Sequence, residues 1–207
     1  MNKYLVEFIG TFFFVLTIGL ATIGGAGSFA PLAIGAMFMV MVFAGAHISG
    51  AHYNPAVTLG VWMRGKCTSA NAVSYIVAQF AASALASVVV AYFNVGVVAA
   101  PAALSVMPSL LAEFLGSFAL VYVVLNVTTS KSNAGNSFYG IAIGFTIFAC
   151  AYCFGGISGG VFNPAAALGM ALMGLKNTSD LWIYCTANFV GAAVATIAFK
   201  IIYEGDE

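Results

Sequence analysis

The sequence predicts an all-α membrane protein: six transmembrane helices plus two re-entrant half-helices, arranged as an inverted tandem repeat. Three observations carry this prediction. The 207 residues are 62% hydrophobic and 6% charged, against about 25% charged in a soluble domain. Six apolar runs approach the ~20 residues that a helix needs to cross a hydrocarbon core of about 30 Å. Two shorter runs open with the same tripeptide, Asn-Pro-Ala.

The composition also excludes functions. Six Lys+Arg balanced by six Asp+Glu leave no basic field for nucleic acid. Two histidines and no cluster of polar catalytic groups argue against a hydrolase or metalloenzyme, so no enzyme, cofactor or metal is expected. Cys67, Cys150, Cys153 and Cys185 are scattered. The spacing of Cys150 and Cys153 could suit a metal or redox site, but their apolar setting is expected to make them two buried thiols on one helix face. The first apolar run has no small-residue cleavage site, so no cleavable signal peptide is expected.

Residues 1–207 read as a single transmembrane domain. The spans lie near residues 4–24, 31–48, 71–95, 108–128, 138–156 and 181–203. Polar patches at 64–69, 128–137 and 176–180 separate several of them. Residues 95–107 form a longer apolar linker with Pro101 inside it and Pro108 just after, read as a connector lying across one face. The two short runs begin at Asn54 and Asn163 and last about ten residues, too few to span. Asn is a favoured N-cap and Pro a favoured first helical residue, so each motif starts a short helix inside the membrane.

The chain repeats itself. Glu7-Phe-Ile-Gly-Thr-Phe returns as Glu113-Phe-Leu-Gly-Ser-Phe, and Ala33-Ile34-Gly35 returns as Ala142-Ile143-Gly144. Ile48-Ser49-Gly50 followed by Asn54-Pro55-Ala56 returns as Ile157-Ser158-Gly159 followed by Asn163-Pro164-Ala165. Tyr75 and Gln79 match Tyr184 and Asn188. The halves are 1–100 and 108–207, each with three spans and one half-helix. Three is odd, so the second half enters from the opposite side, and such inverted repeats place their site at the midplane. With both termini in the cytoplasm, Lys3, Arg64, Lys66, Lys131 and Lys200 lie inside and Lys176 alone outside, as the positive-inside rule requires. Asn177-Thr178-Ser179 then fits an outer glycosylation acceptor.

Two half-helix N-termini aimed at one point define an electrostatic site. Each carries roughly half a positive charge and unpaired N–H groups, and Asn54 and Asn163 can add side-chain donors. A water held there accepts two hydrogen bonds, so its neighbours must point away on both sides. That arrangement interrupts a proton wire and repels cations; half-helix dipoles are a known electrostatic barrier of this kind in membrane pores.

The stretch from His47 to Gly60, which contains Ile48-Ser49-Gly50 and Asn54-Pro55-Ala56, resembles the first signature of the aquaporin, or major intrinsic protein, family. With the second motif, the resemblance covers nearly the whole chain. It implies the aquaporin-like fold, a homotetramer with one pore per subunit, and passage of water and small neutral solutes across a lipid bilayer, with plasma or inner membrane as the setting. It implies a central constriction at Asn54, Pro55, Ala56, Asn163, Pro164 and Ala165, and a file lined by the carbonyls of Gly50, Ala51, His52, Gly159, Gly160 and Val161. Glu7 and Glu113 match glutamates that brace the re-entrant loops; a proton relay is the alternative, since ionisable groups within spans are costly and usually functional. The His47 and His52 side chains are expected to pack or brace their loop, with the pore wall as the other option.

The filter departs from the family's water channels. Counting from the motifs puts Ile34, Ala151, Gly160 and Ala166 where an aromatic, a histidine, a small residue and an arginine are usual. The position of Ala151 rests on counting, and a slip would bring Cys150 or Tyr152 there. No fixed cation guards the outer mouth, so the expected pore is wider than one water and admits ammonia, urea or glycerol, unless the apolar ring dewets. Ala167 and Ala171 stand where the glycerol subgroup carries an Asp, a marker that points instead to a narrow water-selective channel. A secondary transporter and a poorly conducting structural protein are the other readings. Gly10, Gly116 and Gly191 would pack helices in every case.

Overall fold

The computed structural model describes residues 2–94, 96, 100, 101 and 103–204. Among these there are eight α-helices, three short 3-10 turns and no strand. The helices are α1 (Asn2–Ile23), α2 (Ala30–Ser49), α3 (Pro55–Met63), α4 (Ser69–Phe93), α5 (Val106–Thr129), α6 (Tyr139–Ser158), α7 (Pro164–Leu172) and α8 (Leu181–Ile202). Six are long and apolar enough to cross a membrane. The other two, α3 and α7, are nine residues each, so they are the half-helices.

Most ends fall within two residues of the expected ones, for local reasons. Thr68 accepts a bond from the Asn71 N–H at 3.3 Å, which starts α4 two residues early. Pro108 lies in the first turn of α5, where a missing N–H costs no helical bond. Gly50 and Gly159 sit at φ 89° and 94° just past α2 and α6, a left-handed stop that glycine takes without strain. The linker at 95–107 falls largely outside the described residues, so its course across a face lies there too.

The packing repeats as the sequence does. α1 packs on α2 and α4, and α5 packs on α6 and α8. α3 lies against α4, α5 and α8, and α7 against α8, α1 and α4. Exchanging the halves maps this pattern onto itself. The halves meet directly where α2 crosses α6, at Gly35 and Gly144: a Cβ on either would stand 2.6–2.7 Å from the other's carbonyl oxygen. Only residues without side chains let two helix backbones come this close.

The surface is apolar and the interior partly polar. Leu5, Val77, Ile141 and Ile197 are exposed, while Glu7, Gln79, Glu113 and Asn188 are fully buried. Hydrocarbon around the spans accommodates the first group, and the second must find partners inside. Cys153 differs from expectation: it is exposed and Cys150 only partly buried. Three residues of helix turn α6 enough to bring the second thiol to the outer surface.

Candidate pore

Two loops build the site, residues 50–54 after α2 and 159–163 after α6. Gly50, Ala51 and Tyr53 have φ of 89°, 51° and 51°; Gly159, Gly160 and Phe162 have 94°, 62° and 49°. A side-chain-bearing residue in this region costs roughly 1–2 kcal/mol, so Ala51, Tyr53 and Phe162 must be held.

A buried glutamate holds each loop. Glu7 accepts the Ser49 hydroxyl at 2.7 Å, the His52 and Tyr53 N–H groups at 2.9 and 2.7 Å, and the Gln79 amide at 2.9 Å. Glu113 accepts the Ser158 hydroxyl at 2.6 Å and the Val161 and Phe162 N–H groups at 2.9 and 2.7 Å. The two serines also accept from Ala51 and Gly160 N–H. Tyr75 and Tyr184 donate to the Ser49 and Ser158 carbonyls at 2.8 and 2.7 Å. The tyrosines matched across the repeat therefore tie the spans α4 and α8 to the loops.

The halves then diverge. Asn188, one methylene shorter than Gln79, leaves Glu113 and accepts from Ser117 at 3.0 Å; its amide nitrogen is buried without a hydrogen bond. Lys176 enters instead, its ammonium donating to the Ser158 carbonyl at 2.9 Å and lying 5.9 Å from the Tyr184 ring centre. Burial pushes this lysine below its ordinary pKa, and Glu113 and Asp180 oppose that shift. Cys67 occupies the corresponding place in the first half.

Where the loops meet, the two asparagines work twice. Asn54 accepts from the Ala56 N–H at 2.8 Å, and Asn163 from Ala165 and Ala166 at 2.9 and 3.2 Å, which caps α3 and α7. Asn54 donates across to the Phe162 carbonyl at 2.8 Å, and Asn163 to the Tyr53 carbonyl at 2.9 Å. Both half-helix N-termini therefore face one region, bridged by the side chains that start them.

Cavities open on either side. One of about 480 Å³ is lined by His47, Gly50, Ser130, Lys131 and Tyr139 among others. The other, about 230 Å³, brings together Ile34, Ala151, Gly159, Gly160 and Val161. Ala151 lies there, whereas Tyr152 is exposed on the outside of the protein. Ala166 is fully buried among apolar neighbours, and Pro55, Ala56, Pro164 and Ala165 are buried beside the asparagines. The His52 ring is buried beside Thr58 and Tyr75, while His47 is exposed at the cavity mouth. Sequence reasoning missed Lys176 and the serines as loop partners. The serines sit in the repeated Ile-Ser-Gly, and Lys176 is the single basic residue on its face.

Six spans with two half-helices meeting end to end between two cavities define a membrane channel protein. The chain matches the family model described as Major intrinsic protein over residues 1–199. It is 39% identical to "Aquaporin NIP1-4" of Oryza sativa subsp. japonica over 98% of this chain and 77% of that one. It is 34% identical to "Glycerol uptake facilitator protein-like 6" of Lactiplantibacillus plantarum over the full length of both. Its fold is similar to the X-ray structure of the aquaglyceroporin from Plasmodium falciparum, with a TM-score of 0.80, 21% identity and 97% coverage of each chain. The chain belongs to the major intrinsic protein family of channels for water and small solutes.

Proposed function

We propose that the protein is a passive channel for water and small uncharged solutes, with a wide filter lacking arginine. The observation that carries this is the 230 Å³ cavity lined by Ile34, Ala151 and Gly160, which leads toward two capped half-helix N-termini. One N–H of each asparagine amide is spent on the opposite loop. The other remains for a solute oxygen, so a water at the centre accepts from both sides and the proton wire is interrupted. The carbonyls of Gly50, Ala51, His52, Gly159, Gly160 and Val161 supply acceptors along the file.

In this reading the face with Arg64, Lys131 and both termini is cytoplasmic and the 230 Å³ cavity opens outward. Four copies form the homotetramer, in a plasma or inner membrane. Glu7 and Glu113 brace loops rather than relay protons, since both oxygens of each already accept from N–H or O–H donors.

Proteoliposome shrinkage by stopped-flow light scattering tests the reading, first under an impermeant osmolyte and then under glycerol or urea. Fast shrinkage followed by solute-driven re-swelling is expected. Fast shrinkage without re-swelling makes the pore a narrow water-selective one. Shrinkage no faster than in empty liposomes makes the protein a closed or structural one, and saturating solute flux makes it a transporter.

A further inference from the structure

Of the four filter positions, two have little freedom to set a width through a side chain. Ala166 is fully buried. Gly160 has φ +62°, and a Cβ on it would stand 3.0 Å from the Ala151 Cα and 3.4 Å from the Gly155 nitrogen. Its open side therefore faces α6 and not the cavity.

Gly155 is the opposite case. It lines the same cavity, it is helical, and a Cβ on it meets no neighbouring atom within 4 Å. Ile147, Ala151 and Gly155 all line that cavity; at spacings of four they form one stripe on α6. The stripe shrinks from isoleucine to alanine to glycine toward the end of the helix. A helical side chain leans back toward the helix N-terminus, over the preceding turn. A side chain at 155 would therefore lie over Ala151, in the ring itself.

We propose that Gly155 is a specificity-determining position: its missing side chain sets the width of the outer cavity and hence the size of solute admitted. The proposal rests on the wide-channel reading above and deepens it.

The test uses the full chain in proteoliposomes, as wild type, Gly155→Leu and Gly156→Leu. Gly156 also has open space around it but is exposed and is not among the residues lining the cavity. Gly155→Leu is expected to lower glycerol and urea flux about tenfold or more, the effect of about 1.4 kcal/mol on a barrier, and water flux far less. Gly156→Leu is expected to match wild type. Equal solute flux through all three, with wild type conducting solute, overturns the role of Gly155 and leaves the channel reading intact. A wild type that passes water alone overturns the wide-filter reading; a fall in water flux with Gly155→Leu then still supports the position. A wild type that passes nothing overturns both. Gly155→Cys, reconstituted and then labelled with a bulky thiol-specific reagent, keeps the test independent of folding. Block beyond that of labelled wild type, reversed by a reductant, is expected; equal flux before and after labelling overturns the proposal.

Discussion

Asn54 and Asn163 hold each other's loops: each caps its own half-helix and donates its amide to a carbonyl of the opposite half, at 2.8 and 2.9 Å. The centre of the molecule is thus a reciprocal clasp as well as an electrostatic site. Removing a cap costs about 0.5–2 kcal/mol, and a buried carbonyl left unpaired about 1–3 kcal/mol more. Asn54→Ala and Asn163→Ala should each lower the melting temperature in detergent. Because the two side chains join the same pair of loops, the double variant should lose less than the sum. Strict additivity would show that the two bonds act separately.

The glutamates differ in how many donors they serve. Glu7 accepts four hydrogen bonds and Glu113 three, the extra one coming from Gln79. A glutamine at either site turns one oxygen into a donor that faces N–H groups. Glu7→Gln and Glu113→Gln should each lose about 2 kcal/mol or more, the first more than the second. Proton entry followed with a trapped pH dye should stay at the level of empty liposomes for wild type and both variants. A wild-type proton flux abolished by either substitution would make these residues a relay.

Aromatic side chains from the two loops wedge into helix grooves that only glycine leaves open. A Cβ on Gly10 would run into the Tyr53 ring, and one on Gly116 into the Phe162 ring. Overpacking of this kind costs about 1–3 kcal/mol, here directly behind the pore loops. Gly116→Ala should reduce both melting temperature and water flux, and Phe162→Leu should restore part of both in the double variant. No recovery would mean that the clash is relieved elsewhere.

Much of this was legible in the sequence, since hydrocarbon thickness sets span length and Asn-Pro is a strong helix start. The repeat also announced Tyr75 and Tyr184 as a pair, though not that both reach the carbonyl ending the helix before each loop. What stayed hidden was direction. Counting placed Gly160 in the ring but could not show that its open side meets α6, nor that Gly155 looks into the cavity. Nor could it show that each asparagine spends an amide proton on the other loop. Cys153 departs from the buried position expected for it for the same reason: apolar surroundings do not separate lipid-facing from core-facing positions.

Lys176 offers a prediction with a definite sign. Its buried ammonium donates to the Ser158 carbonyl, beside Tyr184 and within reach of the Glu113 and Asp180 charges, and burial holds its pKa below the ordinary lysine value. Folding therefore disfavours its charge. Below the depressed pKa both folded and unfolded chains are protonated, and the penalty is present in full. Between that pKa and the ordinary value the unfolded chain binds a proton that the folded chain has released, so stability rises with pH. Above the ordinary value both are neutral and the penalty is gone, while the neutral amine can still donate to Ser158. Lys176→Met removes this titration and leaves every other group in place. The melting temperature of wild type minus that of Lys176→Met should therefore climb as pH is raised from neutral through the lysine range. A flat difference would mean that the ammonium is as well solvated in the fold as in the unfolded chain. A falling one would mean that Glu113 and Asp180 outweigh burial, and that the lysine is an ion-pair partner of those two carboxylates.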